Sequence, residues 1–421
     1  MNSKALDVFT GGVSNGEFGL PEEAIVVMKR GQGYTLWTTD DKEYLDFSMG
    51  WGSCLVGHAH PKVVTAVSEQ IGKGSNFSYL NDKVLELALQ IKALSPAIDK
   101  IRFCASGTEA TMYCQRLARA FTGKGKILKF EGAYHGANET GVTSLFASGN
   151  TPFPTPELTS AGVEHVTNNL LVAPYNDLET TRQIIEQHAG EIAAVIIEPL
   201  QRCTPPRPGF LEGIRALTQQ HGVLLIFDEV VTGFRLAYGG AQEYYGVIPD
   251  LVAYGKALGG GYPIGAFGGR QDIMDWTHEH RIGADNYVWM ASTLGGNPIS
   301  ASAALAALAL FREPDCYINL HKRGKQFRQQ LSEIMRDADF DTQIIGDGPL
   351  AQIAFCNHEV YNHRTTNSAD KGLGRKMMMG LFERGIFLNP MGTKLYLSIM
   401  HDDAALDGFY DRLRDTLKNI R

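Results

Sequence analysis

Cysteine is scarce in this chain and follows no pattern. Only six of the 421 residues are cysteines (Cys54, Cys104, Cys114, Cys203, Cys316 and Cys356), and none forms a CxxC pair. That excludes a zinc ribbon and a disulfide scaffold and predicts reduced, mostly buried thiols. Long apolar runs are lacking too. The longest, SASAALAALALF from Ser300 to Phe311, is too short and too alanine-rich to cross a bilayer and predicts a buried helix. The first residues, MNSKALDVFTGGVSNGEFG, have no basic start followed by an apolar stretch, so no secretion signal is expected and the cytoplasm is the expected location. Nor is there an excess of positive charge. With 39 basic against 46 acidic residues and a net charge of -7, neither nucleic acid nor a membrane surface is an expected partner, and a small molecule is. Internal repeats, low-complexity tracts and obvious linkers are also missing.

What is present is the balance of a globular protein, 44% hydrophobic and 20% charged, in a chain longer than one compact core usually organises. Short apolar runs (IRFCAS from Ile101, KILKF from Lys126, AAVIIEP from Ala193, VLLIFDEV from Val223, LVAYG from Leu251, PIGAFGG from Pro263) are separated by amphipathic stretches such as GFLEGIRALTQQHG. This alternation predicts strands with helical crossovers and an open α/β sheet, mostly parallel, whose ligand sits at the carboxyl ends of the strands. Residues 24–48 alternate like strands joined by turns at GQG and TDDKE, and after about residue 315 charged helices mix with short strands. The expected architecture is a large α/β domain over 55–315 and a smaller, discontinuous α+β domain from 1–54 and 316–421.

Three strand-end motifs carry chemistry. SGTEAT, from Ser106 to Thr111, follows the IRFCA strand and opens a helix, where free backbone N–H groups and the positive end of the helix dipole suit a phosphate. An ordinary capped helix start, with Ser106 or Thr108 as cap and Glu109 in the first turn, explains the same residues. Asp228 ends the LLIFDE strand, where a carboxylate stabilises a cationic ring nitrogen; the alternative is an acidic pair that merely ends a strand. Lys256, in LVAYGKALGGGYPIG, stands at the end of another strand, where burial favours the neutral amine that imine formation needs, and the glycines 259–261 admit a bulky ligand. A lysine snorkelling into solvent is the other reading of that position. Taken together, a phosphate turn, a carboxylate and an amine describe one ligand with a phosphate, a cationic ring and an aldehyde. That ligand is pyridoxal 5'-phosphate.

The strings SGTEATMYCQRLARAFTGKGKILKFEGAYHG, FDEVVTGFRLAYGGAQEYYGVIPDLVAYGKALGGGYPIGAFGGR and STLGGNP resemble the class III pyridoxal phosphate aminotransferases, and among them the glutamate-1-semialdehyde 2,1-aminomutase branch. The resemblance runs from about Gly11 to the C-terminus. It implies a fold-type I transferase and assigns roles by position. Lys256 is similar to the Schiff-base lysine and proton shuttle, Asp228 to the pyridinium partner, Val230 and Tyr134 to the residues on the two ring faces. Ser106, Gly107 and Thr108 match the phosphate turn, Glu198 a cofactor contact, Gln201 the neighbour of the ring hydroxyl, and Thr293 the residue that reaches the cofactor phosphate of the other subunit in a homodimer. The chain departs from the aminomutases where their substrate-binding arginine falls: here TGGVSNGEFGL places Glu17 and Phe18, neither of which can grip a carboxylate as an arginine fork does. NPMGTKLYLS, from Asn389, lacks their loop glutamate, and 140–170, a substrate-gating region in that branch, looks longer and unrelated. The expected reaction is therefore transamination from an amino donor to a keto acid, aldehyde or ketone. An intramolecular amino transfer and a cofactor-binding protein without turnover are the alternatives. Candidate substrate contacts are Trp51, Tyr79, Arg202, Arg207 and Lys394. The pairs His58/His60 and His278/His280 lack a third ligand at a convincing spacing, so no metal is expected.

Overall fold

A computed structural model describes residues 2–420. The chain divides into two compact units. One comprises 1–61, 318–360 and 368–421, and the other 62–317 with 361–367.

The second, larger unit is built on seven strands in the spatial order Lys100–Cys104, Gly265–Gly269, Leu251–Tyr254, Leu224–Glu229, Ile192–Ile197, Lys126–Phe130, Leu170–Ala173. The central strands Ile192–Ile197, Leu224–Glu229 and Leu251–Tyr254 are buried at every position, as strands covered on both faces must be, which is why each reads as an unbroken apolar run. All contacts in this sheet are parallel except those of Gly265–Gly269, which runs antiparallel to both neighbours. Its direction follows from its connection. Only a single 3-10 turn, Lys256–Gly259, and a few further residues separate it from Leu251–Tyr254, too short a link for the helical crossover a parallel return requires. The run PIGAFGG is thus the one sheet strand that breaks the parallel expectation. Its glycines are required by closeness: a Cβ on Gly265 would collide with the backbone of Ser106.

The Ala-rich segment forms the helix Pro298–Phe311, buried through most of its length and capped by Asn297, whose side chain accepts from Ser300 N–H. The segment 361–367 joins this unit because its side chains tie down the loop after residue 143. Arg364 donates to Glu131 Oε2 (2.9 Å) and to the Thr151 carbonyl (2.6 Å), and His363 Nε2 lies 2.8 Å from the Ala147 carbonyl oxygen.

In the smaller unit the strands Met28–Gln32, Thr35–Thr38 and Glu43–Asp46 form the antiparallel meander expected over 24–48, extended by Ile386–Phe387 running parallel to Glu43–Asp46. The late strands Gln343–Ile345, Leu350–Ala354 and Lys394–Tyr396 make a second sheet. Helices Lys371–Glu383 and Asp403–Leu417 begin at aspartate caps, Asp370 and Asp402, whose carboxylates each accept a first-turn N–H. An apolar cluster including Phe47, Phe327, Leu381, Leu395 and Phe409 is the core of this unit.

Candidate active site

The sheet directs three strand ends into one cleft of the larger unit, about 680 Å³ of space lined by residues that include Gly107, Thr108, Thr111, Tyr134, Glu198, Arg202, Asp228, Val230 and Lys256. Lys256 follows Leu251–Tyr254, Asp228 lies in Leu224–Glu229, and Gly107 opens the helix after Lys100–Cys104.

Lys256 is held with φ +42°, in the left-handed region that side chains with a Cβ rarely adopt, so the surrounding turn dictates its direction. Among the described residues its amine makes no hydrogen bond. Burial disfavours its ammonium and pulls the pKa down from 10.5 to about 8, with Asp228 opposing the shift and Arg202 adding to it.

Asp228 is buried, 5% exposed. Its Oδ1 accepts from Val230 N–H (3.1 Å) and its Oδ2 lies 2.8 Å from His135 Nδ1. His135 itself is fully buried, its carbonyl accepts from Thr111 Oγ1 (2.6 Å), and its Nε2 has no partner among the described residues. Tyr134 stands one residue before it. Burial raises the Tyr134 phenol above its usual pKa, so the ring is neutral at ordinary pH. Glu198 positions this wall by accepting two backbone N–H groups, from Tyr134 at Oε1 (2.8 Å) and from Arg202 at Oε2 (3.0 Å).

At the helix start both readings of SGTEAT hold, on different residues. Ser106 is the cap: its hydroxyl accepts from Glu109 N–H (3.2 Å) and donates to Glu109 Oε2 (2.9 Å), and it does not line the cleft. Gly107 and Thr108 do line it, at the first two helical positions, whose N–H groups have no acceptor within the helix. Gly107 is packed so tightly that a Cβ there would lie 2.7 Å from Val230 Cγ1. Gln201 is buried behind the lining, donating to the Glu131 carbonyl (2.7 Å) while its Oε1 has no partner among the described residues. Thr293 lies outside the cleft and is exposed, its carbonyl accepting from Asn76 (3.1 Å). Of the five candidate substrate contacts only Arg202 lines the cleft. Arg207 stacks on Tyr361, 3.9 Å from the ring centroid, Tyr79 is 86% exposed, Trp51 packs on Phe18, and Lys394 begins a strand of the smaller unit.

These residues suit a phosphorylated pyridine aldehyde. Free helix N–H groups stand at one point of the cleft, a buried carboxylate with no cationic lysine or arginine bonded to it at another, and an unbonded amine at a third. Behind the lining, Gln201 Oε1 is a buried acceptor without a partner among the described residues. His135 was not anticipated from sequence. Its partner Asp228 is 93 positions away, and only the sheet order brings them together.

The model of the aminotransferase class-III family matches residues 20–417. The chain belongs to that family. It is 39% identical over 422 residues to a glutamate-1-semialdehyde 2,1-aminomutase of Thermomicrobium roseum, covering 99% of this chain and 96% of that one. In structure it is similar to an omega-transaminase from Sphaerobacter thermophilus (TM-score 0.92, 31% identity, 100% of this chain and 96% of the other). It is also similar to a beta-phenylalanine aminotransferase from Variovorax paradoxus (TM-score 0.85, 31% identity, 98% and 91%). The fold is that of these class-III enzymes, a mostly parallel seven-stranded α/β sheet of fold type I.

Proposed function

We propose that this class-III enzyme is a transaminase, moving the amino group of one amine to a separate keto acid, aldehyde or ketone. Its cofactor is pyridoxal 5'-phosphate, which when bound supplies an electron sink for a proton removed from carbon. The observation that carries the reading is an amine free of hydrogen bonds, Lys256, in the same cleft as the buried carboxylate Asp228.

Each residue has a task that its surroundings support. The Asp228 carboxylate, backed by His135, keeps a ring nitrogen protonated through charge and hydrogen bonding. Tyr134 and Val230 would hold the two ring faces, the N–H groups of Gly107 and Thr108 would take the phosphate, Ser106 keeps that helix start in shape, and Gln201, behind the lining, would be the polar neighbour of the ring hydroxyl. Glu198 fixes the Tyr134 wall through the backbone. Lys256 Nζ would carry the proton from the substrate carbon that bears nitrogen to the cofactor carbon that carried the aldehyde, and would carry it back the other way in the second half-reaction. With a pKa near 8, both its forms are populated close to neutral pH, as a group that must accept and donate requires.

Transfer to a second molecule is favoured by the residues at the aminomutase arginine position. Glu17 and Phe18 stand there, and the Phe18 ring packs 5.4 Å from Trp51 and 5.9 Å from Phe387 as part of an aromatic cluster. A second reading, amino transfer within one molecule, is favoured by the 39% identity to a glutamate-1-semialdehyde 2,1-aminomutase. The protein loaded with the pyridoxamine form and mixed with keto acids, aldehydes and ketones separates the two. Return of the lysine-bound cofactor absorbance with release of a free amine supports the transaminase; turnover of a single amino-aldehyde without co-substrate contradicts it.

The active assembly is proposed to be a homodimer in which Thr293 reaches the partner's phosphate. Exposed Phe77, Tyr79, Leu80 and Leu294 supply an apolar surface around Thr293. Sedimentation of the loaded protein as a monomer would contradict this.

A further inference from the structure

The cleft holds one charge that the cofactor chemistry leaves unused. Arg202 lines it with a partly buried guanidinium. Among the described residues that group has no hydrogen bond and no ion pair; it lies over the Tyr134 ring, 5.7 Å from the centroid. The two carboxylates nearby are committed elsewhere, Glu198 to the N–H groups of Tyr134 and Arg202, and Asp228 to His135. A half-buried cation without an anion is costly, and a bound ligand is what can supply the counter-charge.

The backbone points the same way. Arg202 has φ +61°, where a residue with a Cβ is strained and glycine is the easy choice. The strain is held by a tight turn in which Thr204 N–H donates to the Gln201 carbonyl (2.8 Å) and by the grip of Glu198 on Arg202 N–H. A long charged side chain kept in such a turn and aimed into a cleft marks a site where the local strain serves a ligand.

We propose that Arg202 is the specificity-determining residue that receives a carboxylate of the substrate, so that the amines and carbonyl compounds this enzyme takes are amino acids and keto acids rather than neutral amines and ketones. The inference rests on the transaminase reading. A guanidinium presents two parallel N–H donors matched to a carboxylate, and its placement in the cleft with Lys256 makes the ligand it selects one that carries an anion beside the reacting nitrogen.

The test uses the cofactor-loaded protein and the variants Arg202→Gln and Arg202→Lys. The α-, β- and γ-aminobutyrates are compared with butylamine and 2-aminobutane by the rate at which each bleaches the cofactor absorbance. Wild type is expected to prefer at least one aminobutyrate over the neutral amines. Arg202→Gln is expected to lower kcat/KM for that acid by about a hundredfold, mostly through KM, as loss of a charge-assisted pair does. Rates with the neutral amines should stay within about threefold, and the lysine variant should recover part of the loss because it keeps the charge without the fork. A wild type that prefers neutral amines, or a variant that loses acids and amines equally, overturns the proposal. A second readout needs no turnover: butyrate binding, followed by calorimetry, should weaken at least about tenfold in Arg202→Gln while cofactor occupancy is unchanged. Equal butyrate binding, or a loss of cofactor occupancy alone, contradicts the assignment. Should no amine bleach the wild-type cofactor, the transaminase reading fails, and butyrate binding still decides the role of Arg202.

Discussion

Lys129 is fully buried and Lys256 half-buried at the cleft of the larger unit, and they sit in opposite surroundings. Burial pulls the pKa of Lys129 down to about 7 and that of Lys256 down to about 8. At Lys129 four backbone carbonyls answer the burial: Nζ donates to Ala133 (3.0 Å), Thr140 (3.1 Å), Gly141 (3.0 Å) and Thr143 (2.7 Å). Those carbonyls hold the ammonium and, through it, the loop that carries Tyr134 and His135. At Lys256 no hydrogen bond answers it, and the side chain lies in an open cleft. A buried amine with all its donors engaged organises backbone; one with none engaged keeps its lone pair for chemistry.

The largest expected effect comes from removing the free amine. Lys256→Ala should lower transamination by about a thousandfold or more, measured in single turnovers with the preferred amine, because the proton acceptor and the attachment point disappear together. Full turnover in that protein would refute the assignment of Lys256 as the attachment point and proton carrier. Next, Asp228→Asn should cost about a hundredfold or more in the same assay while leaving the fold intact, since the amide replaces the charge that keeps the ring nitrogen protonated.

The two lysines should then differ in stability with opposite sign. Lys129→Met also removes a cation that burial disfavours, but it leaves four carbonyls without their donor at on the order of 1–3 kcal/mol each, so the net effect is expected to be a destabilisation of about 3 kcal/mol, read from urea unfolding. Lys256→Met removes a cation that folding disfavours, so the cofactor-free variant should be more stable than wild type, by up to about 3 kcal/mol at neutral pH. The sign follows from linkage. Between about pH 8 and 10.5 the unfolded chain binds a proton at Lys256 that the folded chain releases. The wild-type stability contributed by this group therefore rises with pH through that window, and the penalty is largest below it. The advantage of Lys256→Met should shrink towards zero as pH approaches 10.5. An advantage independent of pH would place the lysine in solvent and break the contrast.

Motif chemistry at strand ends was legible in the sequence because each motif is local. Lys256, Asp228 and Gly107 announce themselves through the apolar run before them and the turn after. Lys129 did not, since a lysine inside KILKF reads as an ordinary strand residue, and its four acceptors lie in a loop whose path the sequence does not reveal. His135 sits beside Tyr134 in plain sight, yet its meaning depends on the pairing of strands that brings it against Asp228. Ser106 illustrates the opposite difficulty: one motif contains both a structural cap and the positions that face the cleft. The loop in 140–170 was visible only as a departure from related chains. That it is tied down by His363 and Arg364 depends on contacts with residues some two hundred positions later.

The most direct test of the central assignment is to load the wild-type protein with pyridoxal 5'-phosphate, reduce it with borohydride, and map the modified peptide by mass spectrometry. A stable adduct on Lys256, with Lys129 unmodified, is the predicted result; an adduct on another lysine, or none at all, would contradict it.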